Sequence, residues 1–132
     1  MKYLVDTDVC IALARRHSRV LEQFKGLTIG DAGMSIVTHA ELVYGAHKGN
    51  RTTEALAGID EIIRVIGVQP LDMRASLHYG RIRSELEQRG TTIGPNDLLI
   101  AAHAVSLDVT LVTGNTKEFA RVKGLRVENW IR

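Results

Sequence analysis

Apolar and polar positions along the 132-residue chain fall into short blocks whose period changes repeatedly. Tyr3-Leu4-Val5 is an apolar run that stops at Asp6, which predicts a buried strand. After Asp6-Thr7-Asp8 the pattern turns helical, with Val9, Ala12 and Leu13 on one face. His17-Ser18 breaks it, and Val20, Leu21 and Phe24 predict a second helix ending at Gly26. Residues 34–37 read as a second strand. Thr38-His39-Ala40-Glu41 then matches the Ser/Thr-x-x-Glu capping box of a helix reaching about Gly49. Thr52 or Thr53 opens another helix through Ile59, Ile62 and Ile63, and residues 65–68 form a weaker strand pattern closed by Pro70. Asp72 can cap an amphipathic helix with Leu77, Ile82 and Leu86 inward and Gly90 as its stop.

Gly94-Pro95-Asn96-Asp97 opens the next helix, since proline is favoured at a first helical position. Its body, residues 98–105, is almost wholly apolar apart from His103, which predicts a central helix buried on several sides. Residues 109–113 form the clearest strand, followed by a helical turn at 117–120 and a last strand near 125–127. Short strands alternating with helices predict an α/β fold with a parallel sheet. Residues 1–132 read as one domain without repeat, linker or low-complexity segment.

Composition narrows the function classes. No apolar stretch reaches the ~18 residues of a membrane span, and the acid at position 6 arrives before an export signal's core could form. The lone cysteine, Cys10, excludes an internal disulfide and a cysteine zinc cage, and its apolar surroundings point to a buried thiol in a reducing, cytoplasmic compartment. Six aromatic residues are too few for a base-stacking platform. A net charge of +2 is too balanced to argue for nucleic acid by itself.

Ligands of open parallel sheets bind beyond the carboxyl ends of the strands. Three predicted strand exits carry polar clusters: Asp6 with Thr7 and Asp8; Thr38 with Glu41; and Thr113 with Asn115 and Glu118. Asp97 arrives separately at the start of the apolar helix. Gathered carboxylates repel unless a cation or proton joins them. An open site of hard oxygen ligands suits Mg²⁺ or Mn²⁺. Such an ion can activate water and offset charge building on a phosphate, so the acids point to phosphodiester hydrolysis.

Structural duties compete with that reading. Asp97 and Glu41 fall in predicted first turns, where a carboxylate stabilises a helix by about 0.3–1 kcal/mol, and the Thr38 box alone accounts for Glu41. Asp72 serves as a cap only. Asp8 reads as an N-cap or as a support for the site. Asp6 and Asp97 favour function, because an acid beside a buried apolar element needs a partner. Elsewhere the glycines form no nucleotide-binding motif and the five histidines show no metal spacing. His103 reads as a hydrogen-bonded core histidine. Arg15, Arg16, Arg19 and Lys25 could meet phosphates, although a solvated face is the default for such a run.

Leu4-Val5-Asp6-Thr7-Asp8, Ala40-Glu41-Leu42-Val43-Tyr44-Gly45, residues 93–104, residues 111–119 and Val127-Glu128-Asn129-Trp130 together resemble the PIN-domain VapC toxins in order and spacing. The resemblance implies a three-layer α/β/α PIN-like domain with a short central parallel sheet. It also implies a type II toxin: a Mg²⁺-dependent endoribonuclease, with Mn²⁺ as a possible substitute, that cleaves structured tRNA or rRNA and stops translation. The implied partners are a VapB-type antitoxin whose C-terminal segment covers the active site, operator DNA only through that antitoxin, and a second copy forming a homodimer; no membrane is involved. By motif position Asp6, Glu41 and Asp97 match the family's three principal acids and metal ligands. Many relatives carry Asn or Ser where Asp8 stands here. Where many PIN domains carry a fourth acid, this chain has Asn115, and Glu118 is the nearest replacement. Thr7, Thr113 and Asn115 would complete the polar rim.

The rival reading is a non-catalytic PIN-like or receiver-like cation-binding regulatory module. A phosphoreceiver would need a lysine delivered by a later strand, and no predicted strand ends in one. Setting Asp6, Glu41, Asp97 and Glu118 aside leaves 17 basic against 11 acidic residues, so the near-neutral total averages an acidic pocket with a basic surround.

Overall fold

A computed structural model describes residues 1–132. Its sheet is formed by β1 (Tyr3–Val5), β2 (Ala32–Ser35), β3 (Val68–Gln69), β4 (Thr110–Val112) and β5 (Val127–Glu128). They lie in the order β3-β2-β1-β4-β5, and all pairings are parallel. The registers Leu4↔Gly33 and Leu4↔Leu111 place β1 at the centre.

Side chains alternate across these strands, and the core divides accordingly. Leu4 and Leu111 enter one apolar cluster with Ile82, Leu86, Ile100 and Phe119. Val5 and Val112 enter the other with Val9, Cys10, Leu42, Ile59 and Trp130. The first cluster is covered by α5 (Met73–Gln88) and α6 (Pro95–Leu107), the second mainly by α1 (Thr7–Ala14), α2 (Ser18–Lys25), α3 (Ile36–Lys48) and α4 (Thr52–Ile66). This is the expected three-layer α/β/α arrangement. The short α7 (Thr116–Phe119) closes the end of β4. The Cys10 thiol is fully buried, and burial pushes its pKa far above the ordinary thiol range.

Most elements fall where the pattern predicts them, and the exceptions have physical causes. The second strand ends at Ser35 rather than at residue 37, and α3 starts at Ile36. Ser35 Oγ accepts the Val37 N–H at 3.1 Å, so Ser35 is the N-cap and the predicted Thr38 capping box does not form. Residues 65 and 66 continue α4, and the strand starts only after Gly67, whose φ of +70° turns the chain. The last strand likewise lies later than predicted, at Val127–Glu128. Leu77 is 76% exposed, not inward: α5 buries Ala75, Ile82 and Leu86, and Leu77 lies off that stripe. Asp72 does cap α5, accepting the Ala75 N–H at 3.1 Å. The central helix α6 buries seven of its 13 residues, with Pro95 in its first turn.

Candidate active site

Every strand runs the same way, so the carboxyl ends of β1, β2 and β4 open on one edge of the sheet. Asp6 stands at the end of β1 and caps α1, taking the Thr7 N–H on Oδ1 at 2.8 Å. Its Oδ2 accepts the Thr113 hydroxyl at 2.8 Å, which links β1 to β4 across 107 residues of sequence. Asp6 is 6% exposed. Burial is the largest influence on it and raises its pKa to about 6, partly opposed by the Thr113 and Thr7 donors; the charges of Asp8 and Glu41 push the same way as burial.

Glu41 is the sixth residue of α3, in its second turn, so the capping role that competed for it is absent. Its Oε1 accepts the Thr7 hydroxyl at 2.5 Å, and Thr38 Oγ1 lies 3.3 Å from that hydroxyl. Its Oε2 accepts from Asn96 Nδ2 at 3.4 Å. Two helices therefore hold one carboxylate. Asn96 was not marked by the sequence as a site residue; the available signal was its place beside Asp97 in the first turn of α6.

Asp97 is half-buried, and burial is the main reason its pKa rises to about 7. The charges of Glu118, Asp6 and Glu41 and a hydrogen bond with Glu118 all add to the rise. Glu118 in turn accepts the Gly94 N–H at 3.2 Å and an amide hydrogen from Asn115. The fold thus brings Asp6, Glu41 and Glu118 within electrostatic reach of Asp97, with Thr7, Thr113 and Asn115 as partners of these acids. The Gly94 amide is the other contributor that sequence reasoning missed, because backbone donors leave no residue-type signal.

Asp8 does not cap the helix. Its Oδ2 takes the Gly114 N–H at 2.9 Å, while its buried Oδ1 has no partner. A Cβ at Gly114 would stand 2.5 Å from Asp8 Oδ2, so glycine permits this approach. Arg15 lines a cleft of about 390 Å³ that also borders Thr7 and Glu41. Lys25 instead pairs with Glu22 on the exposed face of α2.

No three His, Cys, Asp or Glu side chains stand close enough to enclose an ion unaided. That openness fits a cation that stays largely hydrated. Mg²⁺ characteristically keeps several waters and takes only one or two carboxylates. The donors are all hard oxygens, and burial, helped by neighbouring charges, raises the pKa of Asp6 to about 6 and of Asp97 to about 7, so a divalent ion would compete with protons there. The residues fit the ion.

The PIN domain family model matches residues 3–125. The chain belongs to the PIN-domain VapC family. It is 41% identical over 131 residues to the tRNA(fMet)-specific endonuclease VapC of Shigella flexneri, covering 98% of each chain. Among solved structures, the DNA-bound VapBC of Salmonella typhimurium superposes with a TM-score of 0.93 at 37% identity, covering 98% of both chains. VapBC2 of Rickettsia felis, bound to a promoter fragment, gives 0.90 at 34% identity over 98% of this chain and 99% of that one. The PIN-domain ribonucleases among which VapC is placed depend on divalent metals. No helix of this VapC-family chain is long and apolar enough to cross a membrane.

Proposed function

We propose that this chain is the toxin of a type II toxin–antitoxin pair, acting as a Mg²⁺-dependent endoribonuclease on structured tRNA or rRNA. The observation that carries the reading is the convergence of four carboxylates, from β1, α3, α6 and α7, on the carboxyl edge of a VapC-family sheet. Residues 1–132 act as one PIN-like domain and pair as a homodimer. A VapB-type antitoxin covers the site, and operator DNA is bound only through it, in keeping with the DNA-bound VapBC relatives.

Asp6 and Asp97 would hold Mg²⁺, with Mn²⁺ as a substitute, and Glu41 would join them or orient the attacking water. When bound, the ion makes water more acidic and offsets charge developing on the phosphate. Thr113 and the Thr7 amide fix the Asp6 carboxylate before substrate arrives. The Thr7 hydroxyl and Asn96 do the same for Glu41. Glu118, braced by Gly94 and Asn115, takes the place of the fourth acid. Water attacks in line with the departing oxygen, so the 2′-hydroxyl is a bystander and the products carry 5′-phosphate and 3′-hydroxyl ends.

The test is cleavage of tRNA and rRNA by the purified protein, with mapping of the new 5′ ends. Cleavage should require Mg²⁺ or Mn²⁺ and stop in EDTA. Undiminished cleavage in EDTA would refute the metal assignment. Full growth arrest by D97N at normal expression would refute the role of Asp97.

A further inference from the structure

Only two hydrogen bonds between side chains are fully buried. One is Thr113 to Asp6, inside the site. The other joins His103 Nδ1 to Ser35 Oγ at 2.8 Å, across 68 residues of sequence and with both residues at most 1% exposed. Ser35 caps α3, the helix that carries Glu41, and His103 lies on α6, the helix that carries Asp97. The same two helices touch again at the site, through Asn96 and Glu41.

These contacts form two rungs. Ser35 precedes Glu41 by six residues, and His103 follows Asn96 by seven. The helices therefore pass antiparallel, with rungs about 9–10 Å apart at the α-helical rise. The outer rung is long, at 3.4 Å, and ends on an exposed amide. The inner rung is short and sealed from water, so it fixes the geometry. Ser35 Oγ accepts the Val37 N–H, which leaves its own proton to donate to Nδ1. Burial pushes the His103 pKa below its ordinary value, against the Pro70 carbonyl and the Asp72 charge, so the ring is neutral and Nδ1 can accept. An apolar side chain would fill the volume without making this bond.

We infer that His103 is a positioning residue for RNA cleavage: through Ser35 it sets where α3 lies against α6, and so where Glu41 stands relative to Asp97. The inference rests on the cleavage reading above. It treats His103 neither as base nor as ligand, because the ring is sealed off and lies about one and a half helical turns from Asp97.

The experiment compares His103→Leu, His103→Asn, Ser35→Ala and the double variant S35A/H103L with the parent protein. Cleavage kinetics and Mn²⁺ affinity, the latter by electron paramagnetic resonance without RNA, are measured on folded protein. H103L and S35A should each lower kcat and weaken Mn²⁺ binding by about tenfold, with KM for RNA unchanged within about twofold, the scale of an outer support to a metal site. S35A also removes the Val37 cap, so the double variant should be no worse than S35A, since both single changes remove the same bond between Ser35 and His103. H103N, which keeps a polar atom near the Nδ1 position, should recover most of the loss. A parental kcat and Mn²⁺ affinity in folded H103L would overturn the inference, as would losses that multiply in the double variant. If H103L does not fold, S35A and H103N decide on the same measurements. If the parent protein leaves RNA intact, the cleavage reading fails, and Mn²⁺ affinity in the absence of RNA still judges the strut.

Discussion

The two halves of the carboxylate cluster are built differently. Asp6 is buried but gripped by a hydroxyl and a backbone amide, each favouring the ionised form against the cost of burial. Asp97 is less buried, yet every influence on it raises its pKa, including its contact with Glu118. One half is organised by hydrogen bonds within the protein. The other is a strained pair of acids that a proton or a cation relieves. The pocket is thus prepared on the β1–β4 side and waits for a positive charge on the α6–α7 side.

This contrast can be broken most sharply by removing either acid. Both D6N and D97N should lose RNA cleavage by more than about a hundredfold, beyond the cost of losing an outer-shell support. They should part company in stability, read by thermal melting in EDTA. Replacing Asp97 removes an unrelieved charge and should raise Tm, whereas D6N also disturbs two satisfied donors and should raise it less or lower it.

Next in size is Thr113→Val, which deletes the buried hydroxyl that favours ionised Asp6. Denaturant unfolding should show a loss of about 1–3 kcal/mol, the cost of leaving a buried acceptor without its donor. On the other half, N115A removes an exposed donor and should stay within about 0.5 kcal/mol of the parent.

A pH series sharpens the same distinction. The folded protein binds the Asp97 proton more tightly than the unfolded chain does, since its pKa rises from 3.8 to about 7. The resulting stabilisation is complete below about pH 4 and is lost as pH rises through about 7. The Tm difference between D97N and the parent in EDTA should therefore be small near pH 4 and grow towards pH 8. Saturating Mg²⁺ should raise the parent's Tm at the alkaline end and shrink the gap. Asp72→Ala, outside the carboxylate pocket, should cost about 1 kcal/mol through its cap and leave cleavage unchanged.

The residues in the pocket were legible because strand ends and helix starts are local patterns. Asp6 closes an apolar run, Thr113 closes another, and Pro95 announces the helix that presents Asp97. The start of α3 was not legible, because Ser35 and Thr38 can each cap a helix. The choice between them is made by distant partners, the β1–β2 register and the His103 ring. Leu77 misled for a related reason, since an apolar residue carries no mark of the helix face it occupies until the neighbouring layer is in place. Asn96 was hidden because its partner lies 55 residues away.

The central position of β1 has a consequence for synthesis. Asp6 leaves the ribosome 107 residues ahead of Thr113, whose hydroxyl holds it, and the strand that flanks it on that side is β4. Glu118 follows later still. A nascent chain shorter than this lacks one wall of the pocket, however well its earlier helices have formed. The catalytic edge therefore stays unarmed until β4 and α7 have been made, and the order of strands in the sheet acts as a safety catch.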